Sequence, residues 1–375
     1  MMDKTLPTWL VYCRPGFERD CAEETQAKVI EAAENSGFLI LQGKAKLAYR
    51  QLTFARQLLT LHGEVNDLAE RDRLLPIFAA IPEVPAQFGA LYLEVPDTND
   101  GKTLSGFCKR FQPLLEAALR ENSRLLDDPT LPRLHLRHVT GEASRLREEV
   151  QCSRSRTGGL CPTASRLHIF FPAEQRALIA SSDPRNSNDA LNGIHRVGMA
   201  SDAPSRSYLK LAEAFEVFLD KREQAQWLKP KMTAVDLGAA PGGWTWQLVQ
   251  RGLKVTAVDN GPLKGAAASH PAIRHLRQDG FKFRPQRPVD WLVCDMVEQP
   301  QRVAALMTEW FVGGLTTHAI FNLKLPMKKR VAALQAALDS LHNSLNRKGL
   351  HYRLEAKQLY HDREEVTVFL SRAKR

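Results

Sequence analysis

Cysteine, long apolar runs and net negative charge are all scarce in this 375-residue sequence, and each scarcity excludes something. The six cysteines, at 13, 21, 108, 152, 161 and 294, form no CxxC pair and no ligand spacing with histidine, so no metal site is expected. Thiols this sparse and irregular suit a reducing compartment, which makes cytoplasmic location the expectation. No run approaches the ~18 apolar residues needed to cross a bilayer. The opening MMDKTLPTWL has neither an extended apolar core nor a small-residue cleavage site, so no membrane association or secretion is expected. Lysine plus arginine exceed aspartate plus glutamate by 52 to 42, a net charge of +10 that fits either a polyanionic partner or ordinary solubility charge. Apolar residues at 43% and charged residues at 25% are those of a globular chain, and the length allows two or three domains.

Periodicity is clearest in the C-terminal half, where short β-rich runs alternate with helical stretches. Thr233 to Leu237, Lys254 to Val258, Ile273 to Leu276, Trp291 to Cys294 and Ala319 to Leu323 read as five strands of an α/β domain. Their separations leave room for crossover helices, which implies parallel pairing. After a helical stretch around Val331 to Asn346, Tyr352 to Tyr360 and Val366 to Leu370 follow with only a short polar connection, which implies an antiparallel hairpin. Five parallel strands ending in a hairpin make the seven-stranded, Rossmann-like sheet that methyltransferases use.

The first half reads as α+β. Trp9 to Cys13, a helical stretch near Ala22 to Ala33, and Phe38 to Leu41 suggest a small βαβ-type unit, and Leu91 to Val95, Leu104 to Arg120 and Leu134 to Val139 suggest a second piece. Thr140 to Arg166, rich in arginine, serine and glycine, reads as a basic loop that is either a solvated excursion or a phosphate contact. Ser181 to Ser201 reads as a linker before the catalytic half.

The strongest chemical signal is AVDLGAAPGGWTWQL, Ala234 to Leu248: a strand, a glycine-containing turn and a helix. Gly238, Gly242 and Gly243 allow the backbone to approach a ligand closely. The spacing is neither the GxGxxG dinucleotide fingerprint nor a P-loop, which lacks its lysine here, so pyrophosphate fits poorly. S-adenosylmethionine, a compact ligand with a carboxylate, a sulfonium and an adenosine, fits better. Ser207, Ala240 and Pro241 join the three glycines as candidate cofactor contacts. Asp259 closes the second strand, where an acidic side chain can accept hydrogen bonds from ribose hydroxyls. Asp279, after the third strand, meets either the adenine amino group or its own turn. Asp295 follows the fourth strand, at the sheet end where ligands of such folds sit.

Asp236 to Trp244, DLGAAPGGW, resembles without a gap the first motif of the FtsJ-type ribose 2′-O-methyltransferases. That resemblance implies a Lys-Asp-Lys-Glu tetrad, supplied in order by Lys210 in PSRSYLKL, Asp295 in CDMVE, Lys324 in FNLKLPMKKR and Glu365 in REEVTV. Glu364 precedes Glu365, and only the resemblance favours the second. Together with FKFRP and QLYHDREEVTV, these strings are similar within that class to the bacterial enzymes that methylate a cytidine ribose of 23S ribosomal RNA. The resemblance therefore implies 23S ribosomal RNA as partner, no obligate protein partner, a monomer, and four regions: a ferredoxin-like unit over 1–60, a THUMP-like RNA-binding domain over 61–180, a linker over 181–201 and a methyltransferase domain over 202–375. Basic residues Lys282, Arg284 and Lys328 to Arg330 flank the expected crevice and could hold an RNA backbone.

Chemistry gives separate reasons for paired lysines. A ribose hydroxyl is a poor nucleophile, and an ordinary lysine is protonated at neutral pH, so a base must be tuned downward. Desolvation and a neighbouring Lys210 would do that for Lys324, the expected base, with Asp295 and Glu365 orienting it. Competing chemistries lack their motifs. DMVE stands where base amino-methyltransferases carry [DN]PP[YF], and Cys294 has no partner motif for C5 chemistry and reads as core. A catalytically inert RNA-binding protein has no need of the tetrad, and a nicotinamide oxidoreductase would need GxGxxG and no terminal hairpin.

Overall fold

The structure is a computed structural model that describes residues 6–43, 47–126 and 164–373. The chain divides into two compact units, residues 1–50 with 54–193, and residues 51–53 with 194–375.

The first unit carries β1 (Thr8–Cys13), α1 (Glu18–Thr25), β2 (Lys28–Glu31), β3 (Phe38–Gln42), β4 (Ala55–Val65), α2 (Leu74–Ala79), β5 (Ala90–Glu94), α3 (Asn99–Glu121), β6 (Arg166–Ala173) and β7 (Arg176–Ser182). They make one seven-stranded sheet in the order β2-β3-β1-β4-β7-β6-β5, with β4 running through position 60 so that both expected N-terminal pieces share it. The expected βαβ unit is corrected here. The helix ends at Thr25, where Gln26 turns left-handed at φ 53°, and β-branched Val29 and Ile30 enter a strand instead. β1 and β3 pair antiparallel, not by a parallel crossover. The expected linker is also shorter. β7 reaches Ser182, and buried Asn188 bonds Tyr49 Oη and Gly193 O at 3.1 and 3.0 Å, which secures 183–193 to the first unit. Leu134 to Val139 and the 140–166 loop, except its last three residues, lie outside the described residues.

The second unit carries α4 (Tyr208–Phe218), α5 (Lys221–Trp227), β8 (Thr233–Leu237), α6 (Gly243–Val249), β9 (Lys254–Val258), β10 (Ile273–Leu276), β11 (Val289–Cys294), α7 (Pro300–Val312), β12 (Thr316–Lys324), α8 (Arg330–Arg347), β13 (Tyr352–Lys357) and β14 (Glu365–Arg372). Its sheet runs β10-β9-β8-β11-β12-β14-β13. The first five of these strands pair in parallel, and β14 is antiparallel to both neighbours. Helices cover both faces of such a sheet, so its central strands bury both sides and read as continuous apolar runs. Trp291 to Cys294 and Ala319 to Leu323 are fully buried, and Phe215 of α4 meets Trp291 edge-on at 5.6 Å.

Strand polarity positions the site. In parallel β8, β11 and β12 the C-terminal ends lie together, and antiparallel β14 brings its first residue to that same edge, with Glu365 registered against Lys324. Among the described residues, no helix is long and apolar enough to cross a membrane.

Candidate active site

Four charged side chains from four elements meet at this edge. Lys210 comes from the first turn of α4, Asp295 from just past β11, Lys324 from the last position of β12 and Glu365 from the first of β14. Lys324 Nζ lies 2.5 Å from Asp295 Oδ1 and also donates to Glu365 Oε2. Lys210 Nζ donates to Glu365 Oε1 and lies 3.6 Å from Asp295 Oδ2. Each ammonium therefore touches both carboxylates, and the four side chains are only 7 to 23% exposed. Glu364 instead pairs with Arg330 at 2.8 Å, so the Glu364 or Glu365 alternative resolves to Glu365. Glu213, one turn beyond Lys210, accepts from the backbone N–H groups of Tyr360 and His361 at 2.7 and 3.0 Å, which holds the β13–β14 connection to α4.

The electrostatics differ from the expectation at Lys324. Burial opposes its charge, but contact with Asp295 and Glu365 outweighs burial and holds the Lys324 pKa above the ordinary lysine value. The neighbouring Lys210 is itself engaged by the same carboxylates, so it does not leave Lys324 neutral.

The glycine loop bends beside this tetrad. Gly238 has φ +76°, and a Cβ there would lie 2.6 Å from Met296 Cγ, while one on Gly243 would lie 2.2 Å from Ser207 Oγ. The loop needs glycine for its own packing as well as for any ligand. Ala240 N donates to Asp259 Oδ2 at 3.0 Å and Gly261 N to Asp259 Oδ1 at 2.7 Å, so Asp259 braces two turns at once. Pro241 O accepts from Lys264 N at 2.9 Å, and Gly242 begins α6 at φ +113°. Ser207 stands against Gly243, sharing a hydrogen bond with Ser205 at 2.7 Å. Exposed Asp279 accepts from Phe281 N at 2.8 Å, an Asx turn, and the turn it forms brings Gly280 against Met296 and Leu237.

Sequence reasoning missed Asp236, the last acid before the loop. It is 1% exposed, it accepts from Thr245 Oγ1 at 2.6 Å, and its Oδ1 is buried without a hydrogen-bond partner. Burial, with the charges of Asp295 and Asp259 adding to it, pushes its carboxyl up to about 7. Its place inside the quoted glycine motif was the available signal. An orphaned buried carboxyl oxygen between two more carboxylates suits a ligand with positive charge, and no lysine or arginine stands in the loop to favour pyrophosphate. S-adenosylmethionine, which carries a sulfonium and an ammonium, meets that test. Cys294 is fully buried and its thiol is pushed up to about 12 by burial, which suits core and not a nucleophile. Of the flanking basic residues, Arg284 and Arg330 are occupied by Glu309 and Glu364, whereas Lys282, Lys328 and Lys329 are exposed.

Residues 203–349 match the FtsJ-like methyltransferase family, residues 6–59 the RlmM ferredoxin-like domain, and residues 72–145 the N-terminal region of ribosomal RNA large subunit methyltransferase M. The chain is similar to ribosomal RNA large subunit methyltransferase M of Laribacter hongkongensis, 48% identical over 97% of this chain and 96% of that protein. The protein of the same name from Thauera aminoaromatica is 43% identical over 96% and 95%. Among solved structures, Aeropyrum pernix fibrillarin with natively bound S-adenosyl-L-methionine is similar over 54% of this chain and 81% of that one, at 14% identity and a TM-score of 0.32.

Two predictions arise from these acids. Asp236 holds its proton up to about 7 in the fold, against 3.8 ordinarily. The stability that proton contributes is complete below pH ~4 and lost as pH rises through about 7, a difference on the order of 4 kcal/mol at most. The melting temperature of Asp236→Asn should therefore climb relative to wild type from pH 5 to 8, and S-adenosylmethionine should narrow the gap; parallel curves would show that Asp236 is ionised throughout. Asp259→Ala removes both braces of the glycine loop and should weaken S-adenosylmethionine binding at least about tenfold by calorimetry, with Asp259→Asn intermediate. An unchanged dissociation constant would mean that the cofactor sits elsewhere.

Proposed function

The chain belongs to the ribosomal RNA large subunit methyltransferase M family, and from that premise we propose that it methylates the 2′-hydroxyl of a cytidine ribose in 23S ribosomal RNA. The observation that carries this reading is the closed Lys210-Asp295-Lys324-Glu365 tetrad beside the glycine loop. Amino-methylation of a base would call for a [DN]PP[YF] motif where this chain reads DMVE, and a C5 attack would need a thiolate, which buried Cys294 does not offer. The tetrad offers instead a lysine that, once neutral, can take a proton from an alcohol, with carboxylates to aim it.

S-adenosylmethionine, when bound, supplies the methyl group and a positive sulfonium. Asp236, Asp259 and the 238–243 loop would hold it, with Ser207 behind the loop, and Asp279 stands by the turn after β10 for the adenine. Lys324 Nζ is the proton acceptor. In the free site it is an ammonium gripped by Asp295 and Glu365, so it must shed a proton before it can act. A cationic neighbour lowers a lysine pKa, and a site that has just received one makes that loss easier. Lys210 keeps Glu365 half occupied, and the carboxylate therefore grips Lys324 less firmly than a lone partner would. Asp295 then orients the neutral amine toward the ribose. A monomer acting on RNA without a protein partner completes the reading, with the first unit contributing the contacts that select the nucleotide.

Labelled S-adenosylmethionine and unmodified 23S ribosomal RNA should yield a single alkali-resistant linkage 3′ of a cytidine; label on a base would leave every linkage cleavable and refute the assignment. Lys324→Ala should abolish transfer while cofactor affinity changes less than about twofold, since the base acts after binding. Because the Lys324 pKa is raised, the wild-type single-turnover rate should increase with pH across the neutral and mildly alkaline range, up to tenfold per unit. A flat profile would assign the proton to another acceptor.

A further inference from the structure

Behind the tetrad lies a second set of polar side chains that the chemistry above leaves unused. Asn322, Thr367 and Asp362 are 0, 0 and 1% exposed. Asn322 and Thr367 are cross-strand partners on β12 and β14, each two residues from a tetrad member on the same strand, and so on the tetrad's face of the sheet. Asp362 closes the connection that enters β14.

Their hydrogen bonds form a chain. Asn322 Nδ2 donates to Asp295 Oδ1 at 2.9 Å, Thr367 Oγ1 lies 2.8 Å from Asn322 Oδ1 and 2.9 Å from Asp362 Oδ2, and Leu359 N donates to that same Oδ2 at 2.9 Å. Counting protons fixes the direction. Asp295 Oδ1 also receives the Lys324 ammonium, so it is an acceptor and the amide must present its NH2. Asn322 Oδ1 therefore faces Thr367 and takes the one proton that a threonine hydroxyl owns. The remaining contact, Thr367 Oγ1 to Asp362 Oδ2, is a hydrogen bond only if the proton comes from Asp362.

We propose that Asp362 is carried as a neutral carboxylic acid and that the chain Asp362–Thr367–Asn322 is a positioning device that sets the orientation of Asp295 and, through it, of Lys324. The inference rests on the tetrad reading above. Three further observations support it. Asp362 Oδ1 is buried with no hydrogen-bond partner, a position far costlier for a carboxylate than for the carbonyl of an acid. The groups facing Asp362 are mixed. Glu365 on β14 and Glu213 on α4 resist a second negative charge, whereas Lys210 and the Leu359 N–H favour one, and burial tips the balance toward the protonated form. The Asp362 Oδ2 atom must also accept from Leu359 and donate to Thr367, which a carboxylic OH can do and an amide cannot. Without this chain the Asn322 amide is free to turn over and set its oxygen against Asp295.

The device is tested on the full chain with Thr367→Val, Thr367→Ser, Asp362→Asn and Lys324→Met. Thr367→Val should slow single-turnover methyl transfer at neutral pH about tenfold while S-adenosylmethionine affinity and RNA KM stay within about twofold. The same variant should move the alkaline rise of the rate about one unit higher, because Asp295, relieved of the amide, grips the Lys324 ammonium harder. Thr367→Ser, which keeps the hydroxyl, should restore both. Infrared spectra near neutral pH should contain a protonated-carboxyl band in wild type that Asp362→Asn lacks, a reading that does not depend on the Thr367 variants folding. A wild-type rate and pH profile in Thr367→Val, or no carboxyl band assignable to Asp362, overturns the inference. Lys324→Met separates the two levels: if it still transfers methyl, the tetrad reading falls; if it is inactive while Thr367→Val matches wild type, only the positioning device does.

Discussion

Two ammonium groups and two carboxylates share a half-buried space in which none of them could be left alone, and that mutual requirement organises the catalytic unit. A charge removed from water is tolerated only with a partner. Here each member has two, because Lys210 and Lys324 both reach Asp295 and Glu365. The four arrive on a helix, two parallel strands and one antiparallel strand, so the pairs can close only if those elements end at one place. The reversal of β14 is what makes this possible. Entering the sheet at the edge where β12 leaves it, β14 sets Glu365 against Lys324, whereas a sixth parallel strand would begin at the opposite edge. The terminal hairpin that separates this sheet from a dinucleotide-binding one is thus what lets the four charges meet, as well as a topological marker.

The same pairing creates a tension. Contacts that assemble the site also keep Lys324 protonated, and a base must be neutral. Asp236 shows the complementary situation, a buried acid whose burial, reinforced by the charges of Asp295 and Asp259, keeps its proton to about 7. A ligand with positive charge acts on both in the same sense, favouring the neutral amine at one and the carboxylate at the other. The free site stores each proton where an incoming cation shifts it, and the neutral tetrad, two charges of each sign, leaves the loop acids free to attract that cation.

Legibility in the sequence followed burial. Trp291 to Cys294 and Ala319 to Leu323 are readable because the middle of a strand covered on both faces is a nearly unbroken apolar run. The mixed sheet of the first unit, antiparallel except where β5 meets β6, combines polar and apolar positions, and β4, β6 and β7 escape notice there; the helix expected over 22–33 is cut by a left-handed Gln26 that no local pattern signals. At the site, the tetrad was legible through resemblance and the order of its members. The tuning of Lys324 was not, because its sign depends on ångström contacts with Asp295 and Glu365 that spacing does not encode. Asn322 and Thr367 passed as strand residues. A polar side chain in an otherwise apolar buried strand is a signal, but its partner becomes visible only when register is known.

Part of the basic surplus lies around the sheet edge. Two arginines there are engaged internally, Arg284 by Glu309 and by two backbone carbonyls and Arg330 by Glu364. Lysines 282, 328 and 329 are exposed on the segments around the tetrad, as are Arg206 and Arg363, and Lys329 is lifted on a left-handed turn at φ 57° just before α8. A lysine is a strongly hydrated point charge on a flexible stem, suited to a phosphate whose position varies, whereas arginine forks read fixed bidentate geometry. Val297 and Met327, 90 and 71% exposed two and three residues past Asp295 and Lys324, add apolar surface on the segments that leave those residues. An edge of exposed cations and isolated apolar side chains is suited to meet a nucleotide by charge and contact, without reading its hydrogen-bonding face. Under the proposed reaction, selection among riboses would rest on parts of the chain other than the tetrad.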